Sequence, residues 1–476
     1  MSSSTSNCDP ISAEAGTTAK KSGTSPRKVL GFTALLATAV GIVVGQGALM
    51  SILQTMGIAG WGAFLAIFAA FILTLCYVAT FSELSLLIPK AGGISSYTEA
   101  AIGHFPAIVA VFSGYVVVPM LGLSAELFLV DAILGEVFPD TFSPMLIAFV
   151  ILGAFTVLNL MGIDLFAKVQ NLLAYTMVIF LVLVGVSGMF GAIEPKPEGL
   201  NLFSDWNFEG IGVFSLVALA IWGFVGAEYV CPLVEESKNP NRDMPRSMYL
   251  GMFITLGVYI LLGLAVLSYV SLEEFSASEL PHVDLIVAVF GESAFMLIAA
   301  VAITGTCSTV NSIMAAVPRM LHGMAHNGQV FPIFKAVNKR GEPWVAVLFM
   351  AGIVIFPLFV MGGNPDAIIT LLIAASTCWF LTYIIAHIDL MVLRKRYPDA
   401  NRPYKSPFYP IPQLIGIAGM GYAALNNSPS PEMTQHVYTL TGGMLLVICI
   451  IGAIWVKFVM HRDLFEADDL DVVLKK

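Results

Sequence analysis

The residues with the most chemical potential lie where charge is most costly. Ile221-Trp222-Gly223-Phe224-Val225-Gly226-Ala227-Glu228-Tyr229-Val230-Cys231-Pro232 falls inside an apolar stretch, roughly 212 to 233, that is long enough to cross a bilayer. It nevertheless holds two glycines, a proline and the carboxyl of Glu228. An ionisable group at that depth carries a penalty and marks a functional site by default. The glycines beside it point to a helix that stops and restarts, and backbone groups freed by such a break must face a cavity rather than lipid. Gly41-Ile42-Val43-Val44-Gly45-Gln46-Gly47 interrupts an earlier apolar stretch in the same way. A restarted helix offers unpaired N–H groups and partial positive charge, suited to a carboxylate. Gly45 and Gly47 let that backbone come close to a ligand, with Val43, Val44 and Gln46 beside them. Carbonyls freed near Ile221, Trp222 and Gly223 would accept bonds from an ammonium group. An α-amino acid presents both groups, and two such breaks in corresponding halves of a chain are the pattern of a solute site at mid-membrane.

The elements that must position these residues are membrane spans. The chain has 476 residues, 57% hydrophobic and 12% charged, with a mean hydropathy of +0.85. Soluble domains carry about 25% charged residues, so the apolar excess has to face lipid. Twelve apolar spans are expected, at roughly 29–54, 58–84, 105–132, 142–161, 165–190, 210–235, 247–270, 293–317, 344–362, 366–391, 407–426 and 436–459. The connectors leave no room for a sizeable soluble domain. Residues 1–28 are rich in Ser, Thr and Gly without an apolar core, which predicts a disordered tail and no signal peptide. The six cysteines (8, 76, 231, 307, 378 and 449) are scattered through apolar spans and form neither a disulfide framework nor a metal site.

Lys and Arg give the orientation. With the N-terminus in the cytoplasm, the tail, the loops carrying Lys90, Lys168, Lys238, Arg319, Arg394 and their neighbours, and the C-terminal segment all face one side. Of the 23 basic residues only Lys196 lies opposite. The reverse assignment inverts the positive-inside rule, so both termini are expected in the cytoplasm. Acidic residues of the outer loops (Glu194, Glu198, Glu273, Glu274, Glu279, Asp284) make a solvated face and supply much of the formal net charge of −9.

Glu235-Glu236-Ser237-Lys238-Asn239-Pro240-Asn241-Arg242-Asp243-Met244-Pro245-Arg246 reads as a rigid connector between spans 6 and 7. With Phe224-Val225-Gly226-Ala227-Glu228 upstream, it resembles the signature of the amino acid–polyamine–organocation (APC) transporter superfamily. Glu83-Leu84-Ser85 followed by Ile88-Pro89-Lys90-Ala91-Gly92-Gly93 resembles that family's loop after span 2. Pro318-Arg319-Met320 through Asn327-Gly328, Pro332 and Pro343 resembles the loop between spans 8 and 9, and Leu393-Arg394-Lys395-Arg396-Tyr397-Pro398 with Arg402-Pro403-Tyr404-Lys405 the loop after span 10. These four blocks stand in the family's order along nearly the whole chain.

The resemblance implies an all-α integral membrane fold of the LeuT type with twelve transmembrane helices. Inverted five-helix repeats at 29–190 and 210–391 would be followed by peripheral helices at 407–459 and a cytoplasmic tail at 460–476. The substrate would sit between broken helices 1 and 6, its carboxylate on the first and its amine on the second. Trp222 resembles the aromatic gate of prokaryotic amino acid and polyamine exchangers; core or lipid-facing packing is the plainer reading. Glu228 in such relatives links site to gate and can carry a proton, while a structural acid bonded to span 1 is the alternative. Gln46 stands where the family more often has Ser. Many relatives carry a lysine in span 5, but Gln170-Asn171-Leu172-Leu173-Ala174-Tyr175-Thr176 leads here into Met177. That leaves coupling by sodium, by a proton on Glu228, or by exchange.

Ser308 and Thr309 offer sodium-ligating oxygens, though span 8 hydroxyls also serve helix packing. Glu126 and Asp131 belong to the outer half of span 3; a pocket-lining Glu126 would favour a cationic substrate, and a protonated or hydrated acid is the alternative. Tyr115 and Asn311 are further pocket candidates, and Asn159 suits a helix interface. His322 and His326 share one helix face at metal spacing but have no companion cluster and read as a solvated loop pair. Gly92-Gly93, Gly362-Gly363 and Gly442-Gly443 match no phosphate loop. No cofactor, metal or nucleic acid is implied. An intramembrane enzyme would need a nucleophile–base pair or metal cluster at mid-membrane, and neither is present. A nutrient sensor would need a longer signalling tail than the roughly thirty and seventeen residues at the ends. The expectation is a plasma-membrane (bacterial inner-membrane) secondary transporter of amino acids, monomeric or homodimeric, acting as antiporter or symporter with H+ or Na+ coupling. A polyamine or organic-cation exchanger is the alternative.

Overall fold

The computed structural model describes residues 28–191, 210–291, 294–361, 366–427 and 431–476. The expected disordered tail therefore lies outside the described residues except for Lys28, and so do Cys8, Glu194, Lys196 and Glu198. Among the described residues the regular elements are helices, with one isolated bridge between Leu30 and Ser237. In chain order they are α1 Phe32–Val43, α2 Gln46–Ala59, α3 Ala63–Leu87, α4 Ile94–Ala101, α5 His104–Val111, α6 Ser124–Val137, α7 Leu146–Leu160, α8 Ile163–Phe190 and α9 Val217–Ala220. There follow α10 Pro240–Tyr269, α11 Leu272–Ser276, α12 Pro281–Phe290, α13 Phe295–His326, α14 Trp344–Met361, α15 Asp366–Arg396, α16 Ile411–Leu425, α17 Pro431–Ile454 and α18 Leu470–Lys475. Among the described residues, eight helical stretches are long and apolar enough to cross a membrane, and five shorter apolar helices accompany them. Outward faces of α8 (Leu172, Ile179), α14 (Phe356, Phe359) and α17 (Ile450, Ile451) leave large apolar side chains exposed. So much contiguous apolar surface suits a bilayer and not water.

The helices break where glycine permits it. α1 ends at Val43 and α2 restarts at Gln46, with Gly45 extended between them. A second interruption follows the 3-10 turn Ile221–Phe224: Val225 is extended, Gly226 takes φ +118, and Ala227–Glu236 winds as a 3-10 helix. A side chain at Gly226 would be strained by that φ. Carbonyls near this break find hydroxyl donors. Tyr77 Oη donates to Phe224 O at 2.7 Å, and Ser51 Oγ donates to Leu219 O. Between α5 and α6 the backbone widens into π-helical turns at Phe112–Val117 and Pro119–Leu123. Such turns recur at functional sites. α1 packs against α8, α10 and α13, which places both breaks in the centre of the bundle.

At the end where α1 begins, buried ion pairs tie loops to helices. Arg394 and Arg402 serve the fully buried Glu83, with Arg402 Nε at 3.1 Å. Segment 460–476 folds back onto α4 and α5: Asp468 N donates to Glu99 O at 3.0 Å, Lys476 Nζ reaches Glu99 Oε1 at 2.9 Å and Asp468 Oδ2 at 2.6 Å, and Leu470 and Val473 are buried. Burial pushes the Glu99 carboxyl up to about 7, against the pull of the Lys476 ammonium. The folded state thus favours protonated Glu99. Its contribution is full below the ordinary carboxylate range and is lost as pH rises through about 7. Hydrogen-exchange protection of residues 464–473, corrected for intrinsic chemistry, is expected to fall about tenfold between pH 5.5 and 8, and Glu99→Gln to flatten that fall. Flat protection in the parent chain would remove Glu99 as the cause.

Candidate substrate site

The N-terminus of α2 is the strongest anion site that the first break creates, and a side chain of the chain itself fills it. Glu126, on the first turn of α6, is 3% exposed. Its Oε2 accepts from Gln46 N and its Oε1 from Gly47 N, both at 2.7 Å. Two parallel N–H donors at the positive end of a helix match a carboxylate. The glycines make room for it, because a Cβ at Gly45 or Gly47 would stand 2.6 or 2.8 Å from Glu126 Oε1.

Beside this carboxyl lies a small cavity lined among others by Val43, Val118, Glu126, Trp222, Tyr229 and Trp379. A second lies toward α2 and α15 and is lined among others by Met50, Ser51, Gln54, Leu219, Trp222 and Ser376. Trp222 lines both. Trp379 steadies it edge-to-face at 5.9 Å and 67°, and a Cβ on Gly122 would stand 2.8 Å from its Cη2.

Glu228 begins the helix after the second break and is fully buried. Tyr115 Oη and Trp379 Nε1 each donate to its Oε1 at 3.2 Å, and Tyr383 Oη donates to Oε2 at 2.9 Å. Tyr383 in turn accepts from Gly226 N at 3.3 Å and stacks on Tyr77 at 4.5 Å. The bond to span 1 expected of a structural acid is replaced by these three donors. Trp379 touches both Trp222 and Glu228, so one ring connects carboxyl and indole. Glu228→Gln keeps an acceptor for Trp379 but turns Tyr383 from donor to acceptor. The expected result is a stability loss of roughly 1–3 kcal/mol and uptake that no longer responds to a proton gradient. A preserved gradient response would place the proton elsewhere.

The other sequence candidates divide. Val43 lines the cavity; Val44 and Gly45 form the break. The Gln46 side chain turns away, its Nε2 pointing to Val301 O at 3.3 Å and Ala302 O at 3.5 Å on α13. Ile221 is fully buried, and Gly223 packs against Ile52. Neither lines the cavity, because the 3-10 turn presents Trp222 to it instead. Tyr115 is spent on Glu228. Asn311 belongs to a buried amide network, donating to Gln170 Oε1 at 2.9 Å and accepting from Asn159 Nδ2 at 3.2 Å. Asn311 is thus engaged by neighbouring amides and is not among the residues lining the cavity, while Asn159 reaches across to it from α7. Ser308 Oγ accepts from Gln170 Nε2 at 2.8 Å and Thr309 Oγ1 donates to Gly41 O at 3.3 Å, so both hydroxyls already serve packing. Asp131 caps α7, accepting from Met145 N at 2.7 Å and Ile147 N at 3.1 Å. His322 and His326 stand on the last turns of α13, not in a loop, with rings 4.7 Å apart. Among the described residues no group of three His, Cys, Asp or Glu could hold a metal ion. Sequence reasoning missed Trp379, Tyr383 and Tyr77; an aromatic in an apolar span carries no signal that separates it from core.

The profile of the amino acid permease family matches residues 30–457. The chain is 25% identical over 424 residues to the serine/threonine exchanger SteT of Bacillus subtilis (strain 168), covering 83% of this chain and 89% of that one. It is 24% identical over 419 residues to the branched-chain amino acid permease BcaP of the same organism, covering 84% and 86%. Among solved structures, a mutant manganese transporter of Eremococcus coleocola superposes with a TM-score of 0.62 at 12% identity, over 90% of this chain and 94% of that one. That likeness concerns the fold. With its apolar helices and with a family profile that spans most of its length, this multi-pass membrane protein belongs to the amino acid permease family.

Proposed function

We propose that the protein is a secondary transporter working by alternating access, with its cargo bound between the breaks of spans 1 and 6. The observation that carries this reading is that Trp222 lines two cavities, one bounded by Val43 and Val225 at the two breaks and one bounded by Met50, Leu219 and Ser376. A single side chain shared by two cavities can move without disturbing the bundle. In this reading the chain crosses the plasma membrane twelve times as two inverted five-helix repeats plus two peripheral helices, with both termini in the cytoplasm. The placement of Lys and Arg supports that orientation. The cargo carries a protonated amine, the group common to amino acids and organic cations, recognised by the aromatic faces of the cavity. A cargo carboxylate on α2, the amino acid arrangement, requires Glu126 to leave Gln46 N and Gly47 N; the relatives named above favour it. An organic-cation cargo leaves Glu126 in place, and the two bonds at 2.7 Å favour that.

The test is uptake into proteoliposomes of a radiolabelled mixture of amino acids and amines, with and without unlabelled cargo preloaded inside. Imposed proton and sodium gradients complete it. Uptake driven by preloading alone identifies an exchanger, and uptake driven by one gradient identifies a symporter with that ion. No uptake in any arm would sink the transport reading. Because Ser308 and Thr309 are engaged by Gln170 and Gly41, the sodium arm is expected to be silent.

A further inference from the structure

We propose that Glu126 sets the selectivity of the site: it holds the carboxylate-binding end of α2 permanently, so the cavity takes a protonated amine without a free carboxylate and disfavours zwitterionic amino acids. This rests on the reading of the cavity as the cargo site. Three observations carry it. The α2 amides of Gln46 and Gly47 are both consumed by Glu126 at 2.7 Å, in a cradle that only glycine at 45 and 47 leaves open. The second helix restart also carries a buried acid, Glu228 in its first turn, but its donors are the side chains of Tyr115, Trp379 and Tyr383, so its charge too is already matched within the protein. Among the described residues, none that lines the cavity is Lys, Arg or His.

A cargo carboxylate entering this space would therefore meet no cationic side chain, only neutral donors such as the hydroxyls of Tyr229 and Thr309, which is disfavoured for a buried charge. To gain the α2 amides it would have to displace a tethered carboxylate whose effective concentration is of millimolar order, and it would strand Glu126 in turn. A cargo ammonium meets the opposite situation. It finds one carboxyl on the cavity wall and the rings of Trp222, Tyr229 and Trp379 around it, which is how proteins hold organic cations.

The test uses the purified full chain in nanodiscs and three matched pairs: isoamylamine against leucine, ethanolamine against serine, and putrescine against ornithine. Binding is measured by calorimetry and by ligand-induced thermal stabilisation. In at least one pair the amine is expected to bind at least tenfold more tightly than its parent amino acid. Glu126→Gln, which keeps a similar shape and loses the charge, is expected to weaken that amine at least tenfold. Glu126→Ala, which vacates the α2 amides, is expected to narrow or reverse the preference. The comparison within the parent chain stands even where a variant fails to fold. Equal or tighter binding of the amino acids overturns the selectivity role and leaves the transport reading intact. An amine preference unchanged in a folded Glu126→Gln also overturns it. Failure of all six probes to bind a folded chain overturns this assignment, and the proteoliposome assay then decides the transport reading separately.

Discussion

Trp222→Ala is expected to lower cargo affinity about thirtyfold, equivalent to about 2 kcal/mol, the value of a desolvated cation–π contact. The indole lines both cavities, and its neighbours Gly47 and Gly122 are too small to close the gap that would remain. Cargo would then escape faster than the bundle can turn over, so counterflow should collapse together with affinity. Removing a buried Trp from a packed core costs about 3–5 kcal/mol. Here the ring already adjoins two voids, and a cost at the low end should leave a folded, helical protein. Trp222→Phe retains a ring over the cargo and is expected to recover most of the affinity. Unchanged binding in Trp222→Ala would take the residue out of the gate and make its place in both cavity walls incidental.

What could be read in the sequence was whatever a residue carries by itself. Gly226 announces a break because few other residues tolerate its backbone, and Gly45 marks one because a side chain there would strike Glu126; helices do stop at both. An isolated acid in an apolar span announces a site, and Glu126 and Glu228 both turn out to be buried beside the cavity or its gate. Pairing was not legible. Glu126 reaches Gln46 and Gly47 across some eighty positions, and nothing local distinguishes an acid that faces cargo from one that fills the cargo's place. The same ambiguity led to a pocket role for Asn311. A buried amide serves a ligand or a neighbouring amide equally well, and here Gln170 and Asn159 are the partners it meets. The six residues of π-helix before Val118 also carried no sequence mark, since π turns differ from α by one extra residue and not by composition.

Arg319→Ala should destabilise the protein by about 3–5 kcal/mol, the expected result of removing one partner from a buried ionic cluster. The guanidinium is 7% exposed and donates from Nε to Glu236 Oε1 at 2.8 Å, from Nη2 to Glu342 Oε2 at 2.7 Å and from Nη1 to Ala315 O at 2.7 Å. It thereby ties the end of the helix that follows the second break to α13 and to the loop before α14. The loss comes mainly from two stranded carboxyls and not from the missing attraction, because a buried ion pair gains little over apolar packing. Thermal unfolding in one detergent distinguishes these causes. Arg319→Met combined with Glu236→Gln and Glu342→Gln is expected to regain most of the stability lost in Arg319→Ala. Arg319→Lys should remain damaged, since one ammonium cannot span the fork that serves two carboxyls and a carbonyl. A triple variant as unstable as the single one would mean that shape, not charge, holds this junction. Under the alternating access proposed above, this junction would separate when the end where α1 begins opens. A neutral, well-packed triple variant would then bind cargo normally and exchange it more slowly, which connects the ion cluster to turnover rather than to recognition.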